Sequence, residues 1–342
     1  MAHVSVIIPT FNRAKLLPGT LESLSQQTFQ DWRAIVVDDH STDSTFAVAE
    51  RFSKRDSRFQ CRRRLGRRRG ANACRKEGVE ASDSPYVIFL DSDDLFLPDA
   101  LAMRVAAADA APGLDYHVFM SQVFANSPGD ADTLWNIFTE EDDLRRFLRM
   151  DLPWHTSGPI WKRSALGKIG GFDESLPSFQ DWDLHVRALI GRLKYQKISK
   201  VDHLYRRQVR ETDQLSSQST RKAEHLQSHR KIFRRAFDML NDGGAMTPSI
   251  RSDFKALYWW LAERNGQIGE QEEALSVWRE AREIGVCNLF HRILGEQILE
   301  RLDRRIGRYL LVFCEKTFRS IYAGMGSATF HPIASDPVRS EK

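Results

Sequence analysis

Tyr86-Val87-Ile88-Phe89-Leu90-Asp91-Ser92-Asp93-Asp94 sets an apolar run directly against an acidic turn. A continuous apolar segment of this length, with β-branched and aromatic residues, reads as a strand buried on both faces, the kind found in parallel sheets. In open α/β sheets ligands bind in the crevice beyond the carboxyl ends of the strands. Alternate carboxylates on an extended turn offer oxygens to one side, which suits a hard divalent cation that holds a diphosphate. The plainer alternative is a solvated acidic turn whose aspartates cap a helix before Leu95.

Working outward, two further strands end in the same way. Val4 to Ile8 runs into Pro9-Thr10-Phe11-Asn12, and Trp32 to Val37 runs into Asp38-Asp39-His40-Ser41. Helical patterns separate them: one through Leu16, Leu21 and Leu24, one through Phe46 and Ala49 capped by Ser41 or Thr42, and one over Gly70 to Ala81. Strands alternating with helices up to about residue 120 predict an α/β fold with a mostly parallel sheet and helices on both faces. The three polar strand ends then converge on one edge and can serve a single site.

From Asp115 to Val201 the pattern is mixed, with a turn at Gly170-Gly171-Phe172-Asp173-Glu174 and a helix opening near Asp181. Beyond Ser216 it is helical almost to Ala323. Tyr258, Leu261, Ala262, Ala274, Trp278 and Ala281 have the spacing of one tetratricopeptide-like hairpin, but such arrays need about three repeats, so an ordinary helix pair is the preferred reading. The expected division is a catalytic domain over 1–212, a helical region over 213–325 and a disordered tail over 326–342.

With 342 residues and a hydrophobic fraction of 42%, the chain is long and apolar enough for a large folded core. The net charge of +4 conceals six arginines between Arg62 and Arg69. They read as a solvated loop flanking an edge strand, in preference to an attractor for a diphosphate donor or an anionic acceptor. No aromatic residues interleave them as a single-stranded nucleic-acid groove would require, and no nucleic-acid partner is expected. There is no basic leader with an apolar stretch, and no run of about 18 apolar residues, so neither a signal peptide nor a membrane span is expected. Cys61, Cys74, Cys287 and Cys314 lack the spacing of a metal knuckle or redox pair. A cytoplasmic protein is the expectation, with the basic amphipathic stretch Ile306 to Ala323 either packed on the catalytic domain or lying on the inner face of the membrane.

The three strand-end segments, taken with Gly70-Ala71-Asn72-Ala73-Cys74-Arg75, Gly78, Phe172-Asp173-Glu174 and Gln180-Asp181-Trp182-Asp183-Leu184 in that order, resemble the family 2 glycosyltransferases of the GT-A fold. The resemblance covers roughly residues 3 to 210. It implies a GT-A, Rossmann-like mixed sheet with a helical C-terminal region, and transfer of a sugar from a nucleotide diphosphate sugar with inversion.

By the same resemblance, Pro9, Thr10 and Asn12 pack around the nucleoside, Asp39 meets the base, Arg75 lies near the base or phosphates and Asp91 faces the ribose. Asp93 is implied as the ligand of a divalent metal, magnesium or manganese, with Asp94 in support. A carboxylate at Asp39 suits uridine or thymidine, because uracil has an imide N–H to give and cytosine has none at that nitrogen. Asp181 is implied as the general base for the acceptor hydroxyl, in a pair reduced by Gln180, with Asp183 as its rival. Phe172, Asp173 and Glu174 are implied on the acceptor side. Trp154, His155 and Trp161 are candidates to stack on a sugar ring, His203 to bind the metal, and Arg206 and Arg207 to meet the diphosphate.

Two other classes compete. A nucleotidylyltransferase would carry a glycine-rich loop after the first strand, where this chain has Pro-Thr-Phe-Asn-Arg. A basic scaffold for anionic polymer or membrane would leave the acidic strand ends unexplained. Gln208-Val209-Arg210 is followed by glutamate, so the tryptophan signature of processive synthases is absent. One sugar per acceptor, a glycan or lipid-linked saccharide, is therefore expected.

Overall fold

The computed structural model describes residues 2–207, 222–300 and 331–332. The expectations placed on Gln208-Val209-Arg210, Ile306 to Ala323, Cys314 and the tail lie outside these residues.

The first half is a parallel sheet covered by helices, in the element order β1 (Val4–Thr10), α1 (Leu17–Ser25), β2 (Trp32–Asp38), α2 (Thr45–Arg55), β3 (Phe59–Arg63), α3 (Ala71–Ala81) and β4 (Tyr86–Phe89). The strands lie in the spatial order β4, β1, β2, β3, each parallel to its neighbour. Alternate residues of β1 face opposite sides: Ile7 joins Val37, Val87 and Phe89 in one core cluster, while Val6 and Ile8 join Val36 and Ile88 in the other. A strand buried on both faces explains its continuous apolar sequence.

Glycine decides one helix–sheet contact. A Cβ on Gly78 of α3 would stand 2.2 Å from Ile7 Cγ2, so only glycine lets α3 lie this close to β1.

The second half continues as β5 (Leu95–Phe96), α4 (Ala100–Ala110), β6 (Tyr116–Phe124), β7 (Thr133–Leu134), α5 (Asp143–Leu148), β8 (Pro159–Lys162), α6 (Arg163–Lys168), α7 (Gln180–Ile190) and β9 (Tyr195–Arg206). β8 runs antiparallel between β4 and β6, and β9 runs parallel to β6 while pairing antiparallel with β5. β10 (His331–Pro332) extends the edge through β7.

Helices α8 (Ala223–Asp242), α9 (Pro248–Gln267), α10 (Gln271–Glu283) and α11 (Leu289–Leu299) follow. They share one core cluster with the sheet's inner face. Trp182 of α7 meets Phe233 of α8 edge-on at 5.0 Å, and Arg145 of α5 reaches Asp253 of α9 at 2.7 Å. All six residues of the expected helical hairpin are buried, and Trp259 packs edge-on against Trp278 at 5.0 Å. The pair is extended by α11, whose Gly295 lies against the Trp278 indole.

Two local readings need correction. Arg62 and Arg63 lie in the edge strand β3 itself, and Arg64 is buried, so only Arg67 to Arg69 are loop arginines. Neither Ser41 nor Thr42 caps α2, which starts at Thr45; Ser41 Oγ donates to Asp38, and Thr42 N donates to Asn12 Oδ1 at 2.9 Å. The Asp43 carboxylate takes the Thr45 N–H instead, at 2.9 Å.

Candidate active site

The sheet brings the three polar strand ends to one edge, as the parallel register of β1, β2 and β4 requires. Asn12 adopts the left-handed conformation, with φ 51°, and ties the first two ends together: its N–H donates to Ser41 Oγ at 2.9 Å and its Oδ1 accepts from Thr42. Pro9 and Thr10 are buried, and Asp39 N donates to Thr10 O at 2.9 Å. Thr10 Oγ1 is buried and has no hydrogen-bond partner among the described residues, an unmet group beside the expected nucleoside position.

Asp39 is itself engaged. Arg64 Nε donates to one carboxylate oxygen and Gly70 N donates to the other at 2.7 Å. The guanidinium is almost wholly buried, so the first of the unexplained arginines beyond β3 fixes the carboxylate expected to read the base. A carboxylate has lone pairs left for one further donor.

The acidic turn divides three tasks among its aspartates. Asp91 accepts from Arg75 Nη2 at 2.6 Å, and its backbone N–H donates to Ser157 Oγ at 3.4 Å. Asp94 is buried, accepting from Arg206 N at 2.9 Å and from Ser157 Oγ at 3.3 Å. Among the described residues Asp93 has only Arg13 as a side-chain ion partner, at 3.9 Å, while Arg206 Nε holds its carbonyl at 2.9 Å. Burial, followed by the neighbouring Asp91 carboxylate, pushes Asp93 up to about 6 against the pull of Arg13 and Arg206. Asp94 is raised as well, by burial and then by Asp93 and Asp91.

Such crowding of carboxylates is what a divalent cation relieves. The oxygen donors of Asp93 and Asp91 therefore fit magnesium or manganese. Among the described residues no cluster of three or more acidic, histidine or cysteine side chains could form a closed metal site. An ion here would complete its shell with water and the donor's diphosphate oxygens, as open catalytic sites allow.

Asp181 stands at the second position of α7, after Phe179 takes the left-handed conformation. Its Oδ1 accepts its neighbour's N–H, from Trp182, at 2.9 Å. Burial raises its pKa; the Trp182 N–H and Arg75 pull down and Asp91 pushes up, so Asp181 shares its electrostatic surroundings with the acidic turn. Asp183, the rival, is committed elsewhere: one oxygen holds Arg187 at 2.7 Å and the other holds Arg235 of α8.

The Phe172-Asp173-Glu174 turn, expected on the acceptor side, is anchored from several directions. Phe172 packs edge-on against Phe89 at 4.9 Å and lies under the Arg75 guanidinium at 5.1 Å. Burial opposes ionisation of Asp173, but Ser175 and Arg235 outweigh it and hold the carboxyl at about 2. Asn72 Nδ2 donates to Asp173 O at 3.1 Å, and Lys76 meets Glu174 at 3.3 Å, which docks the turn on α3.

Several candidates are structural instead. Trp154 and Trp161 are buried in the core, Trp161 stacked on Tyr116 at 4.2 Å, so neither offers a face to a sugar. His155 and His203 are also buried, with their Nε2 atoms 3.1 Å apart, and His203 Nδ1 faces Asp202 at 2.7 Å and Arg104 at 3.2 Å. With both nitrogens engaged, His203 has no lone pair for a metal. Arg206 braces the acidic turn and stacks on Phe124 at 4.2 Å. Ser157 and Arg64 carry no sequence signal as site residues; Ser157 lies 63 residues from its partner Asp94.

A parallel half sheet, an antiparallel β8 inserted beside it and an acidic turn at the end of β4 define the GT-A class. Residues 5–166 match the family model "Glycosyl transferase family 2". A GalNAc(5)-diNAcBac-PP-undecaprenol beta-1,3-glucosyltransferase of Campylobacter jejuni is 36% identical over 109 residues, 32% of this chain and 35% of that protein. The chain thus spans about a third of that relative's length. S. aureus TarS, solved as residues 1–349 with UDP-GlcNAc, has the same fold with a TM-score of 0.58 at 19% identity, covering 88% of this chain and 92% of that one. The mannosyltransferase PcManGT from Pyrobaculum calidifontis, solved with GDP-Man and Mn2+, superposes with a TM-score of 0.54 at 18% identity over 94% of this chain and 84% of that one. Over residues 5–166 the chain is thus similar to glycosyl transferase family 2, and its fold is that of the GT-A class.

Proposed function

We propose that the protein transfers a single sugar from a uridine diphosphate sugar to a hydroxyl of a glycan or lipid-linked saccharide, inverting the anomeric centre. The observation that carries this reading is the electrostatic proximity of Asp181 to Asp91 and Arg75, which brings a helix-borne carboxylate to the acidic strand end. The C. jejuni relative's name, a transferase acting on an undecaprenol-linked saccharide, supports the acceptor class. The UDP-GlcNAc complex of TarS supports the donor class. The family match favours transfer over the nucleotidylyltransferase and scaffold alternatives.

In this reading residues 1–212 form the catalytic unit, supported by helices α8 to α11. Pro9, Thr10 and Asn12 enclose the nucleoside. Asp39, fixed by Arg64 and Gly70, accepts the imide N–H of uracil, and Asp91 faces the ribose with Arg75 beside it. Asp93, with Asp91 beside it, would hold a divalent ion, which would supply positive charge to the departing diphosphate. Asp181, its carboxylate made more basic by burial, takes the proton of the acceptor hydroxyl as the new bond forms. Attack from the face opposite the leaving diphosphate inverts the centre. No helix among the described residues is long and apolar enough to cross a membrane. Work at the cytoplasmic side of the membrane, on an acceptor presented there, fits the reading.

Calorimetric titration with uridine, thymidine, guanosine and cytidine diphosphates, each with manganese and with chelator, tests it. Metal-dependent binding confined to uridine or thymidine diphosphate is expected. Equal binding of cytidine diphosphate would sink the role of Asp39.

A further inference from the structure

On the far side of the Phe172-Asp173-Glu174 turn lies a cavity of about 500 Å³ walled by α3, α7, α8 and the loop after β3. Five cations line it: Arg68 and Lys76, Arg187 of α7, and Lys231 and Arg235 of α8. The carboxylates within reach are fewer. Asp173 holds Arg235 at 3.0 Å, Glu174 holds Lys76 at 3.3 Å, and Asp183 holds Arg187 at 2.7 Å as well as Arg235. Among the described residues neither Arg68 nor Lys231 has a carboxylate partner; Lys231 Nζ reaches only Ser175 Oγ, at 3.2 Å. The cavity is therefore cationic overall, and two of its cations are uncommitted. A concave site with surplus, unneutralised donors attracts an anion, and guanidinium and ammonium groups converging from several elements suit the oxygens of a phosphoryl group.

We infer that this cavity binds a phosphoryl group carried by the acceptor. The inference rests on the proposed role of the Phe172–Glu174 turn on the acceptor side: all three residues of the turn line the cavity, and Phe172 also lies against Arg75 and Phe89. It gives a task to two features that sugar transfer leaves idle. The loop arginines supply one wall through Arg68, and the helical region supplies another through Lys231 and Arg235. An acceptor joined through a phosphate, as a polyprenyl pyrophosphoryl saccharide or as a polyol phosphate chain, would be held by that group while a neighbouring sugar or polyol hydroxyl reaches Asp181.

The first test titrates inorganic pyrophosphate into the full chain already saturated with UDP and manganese, which closes the donor's own diphosphate site. Binding is expected to weaken about tenfold in Lys231→Glu and in Arg68→Glu, less in Lys231→Gln, and to fall steeply with salt. Both side chains are exposed, so the substitutions leave the core intact, and unchanged thermal unfolding checks this. No binding to the UDP-loaded protein, or equal binding by the charge-reversed variants, would overturn the site.

The second test measures transfer to three acceptors: a polyprenyl pyrophosphoryl disaccharide in vesicles, a soluble polyol phosphate oligomer and an unphosphorylated oligosaccharide. Lys231→Glu is expected to raise KM about tenfold for whichever phosphorylated acceptor is used, leaving kcat and the KM for the nucleotide sugar unchanged. The first two arms separate a lipid source from a polymer source. An equal rise for the unphosphorylated acceptor would overturn the assignment. Lys231-dependent pyrophosphate binding in a protein that transfers no sugar would retain the anion site and remove the acceptor reading, so the two failures are distinct.

Discussion

Arg75 Nη2 and Asp91 Oδ1 meet at 2.6 Å, joining a nearly buried guanidinium on α3 to a carboxylate that is one-third exposed at the end of β4. The same guanidinium covers the ring of Phe172. One side chain thus links the acidic turn to the Phe172–Glu174 turn. Replacement by methionine keeps the packing but leaves Asp91 beside Asp93 without its counter-charge. We expect Arg75→Met to weaken nucleotide diphosphate binding about tenfold and to lower stability by about 1–2 kcal/mol, discounted for the exposure of Asp91. Calorimetry and urea unfolding give the two numbers; unchanged affinity would remove Arg75 from the donor site.

Asp93 and Asp181 separate binding from chemistry. Asp93→Ala is expected to abolish the manganese-dependent part of donor binding. Asp181→Asn is expected to leave donor affinity within about twofold while transfer falls by roughly 10²–10⁴, the range of a lost general base. Near-normal turnover by Asp181→Asn would refute its role, since Asp183 is bound to Arg187 and Arg235 and has no free oxygen to replace it.

His185 predicts a pH dependence of stability. It is buried, stacked parallel to Trp161 at 5.9 Å, and neither ring nitrogen has a hydrogen-bond partner among the described residues. Burial, with a smaller push from Arg187, lowers its pKa to about 3. The unfolded chain therefore binds the extra proton between the ordinary value and 3, so the contribution is whole above pH about 6.5 and shrinks as pH falls through that window. The slope is about 1.4 kcal/mol per pH unit for one such site. We expect His185→Phe to be more stable than wild type by about 2 kcal/mol at pH 5 relative to their difference at pH 7, measured by urea unfolding. An identical pH dependence in the two proteins would contradict a neutral, buried imidazole.

Gly78→Ala should be costly for a residue on a helix that alanine otherwise favours. The added methyl would meet Ile7 Cγ2 at 2.2 Å, inside the core between α3 and β1. Overpacking of this kind costs about 1–3 kcal/mol. A melting temperature equal to or above that of wild type would show that α3 can shift outward freely.

The parts of this architecture legible in the sequence are those written in contiguous residues. β1, β2 and β4 announce themselves because strands buried on both faces are apolar throughout, and their polar ends name the crevice. β3 is hidden because it is an edge strand: Gln60, Arg62 and Arg63 are only partly covered, so its composition is that of a loop. The bracing of the acidic turn is hidden for another reason. Ser157 and Arg206 act on Asp94 from 63 and 112 positions away, and no local pattern encodes such a meeting. Trp154 and Trp161 mislead because an indole suits a sugar face and a core equally, and only the register of β8 against β4 and β6 turns Trp161 inward.

The fastening of α7 to α8 sets a rule for anyone wishing to recombine these proteins. Asp183 and Trp182 face Arg235 and Phe233, while Asp181, one residue earlier, lies within electrostatic reach of Arg75 and Asp91. A chimera joined near residue 212 would import a foreign α8 and leave a buried carboxylate and an indole seeking partners, in the helix that also sets the position of Asp181. Acceptor preference is therefore better transplanted as one cassette containing α7, the Phe172–Glu174 turn and the C-terminal helices together than by grafting the helices alone.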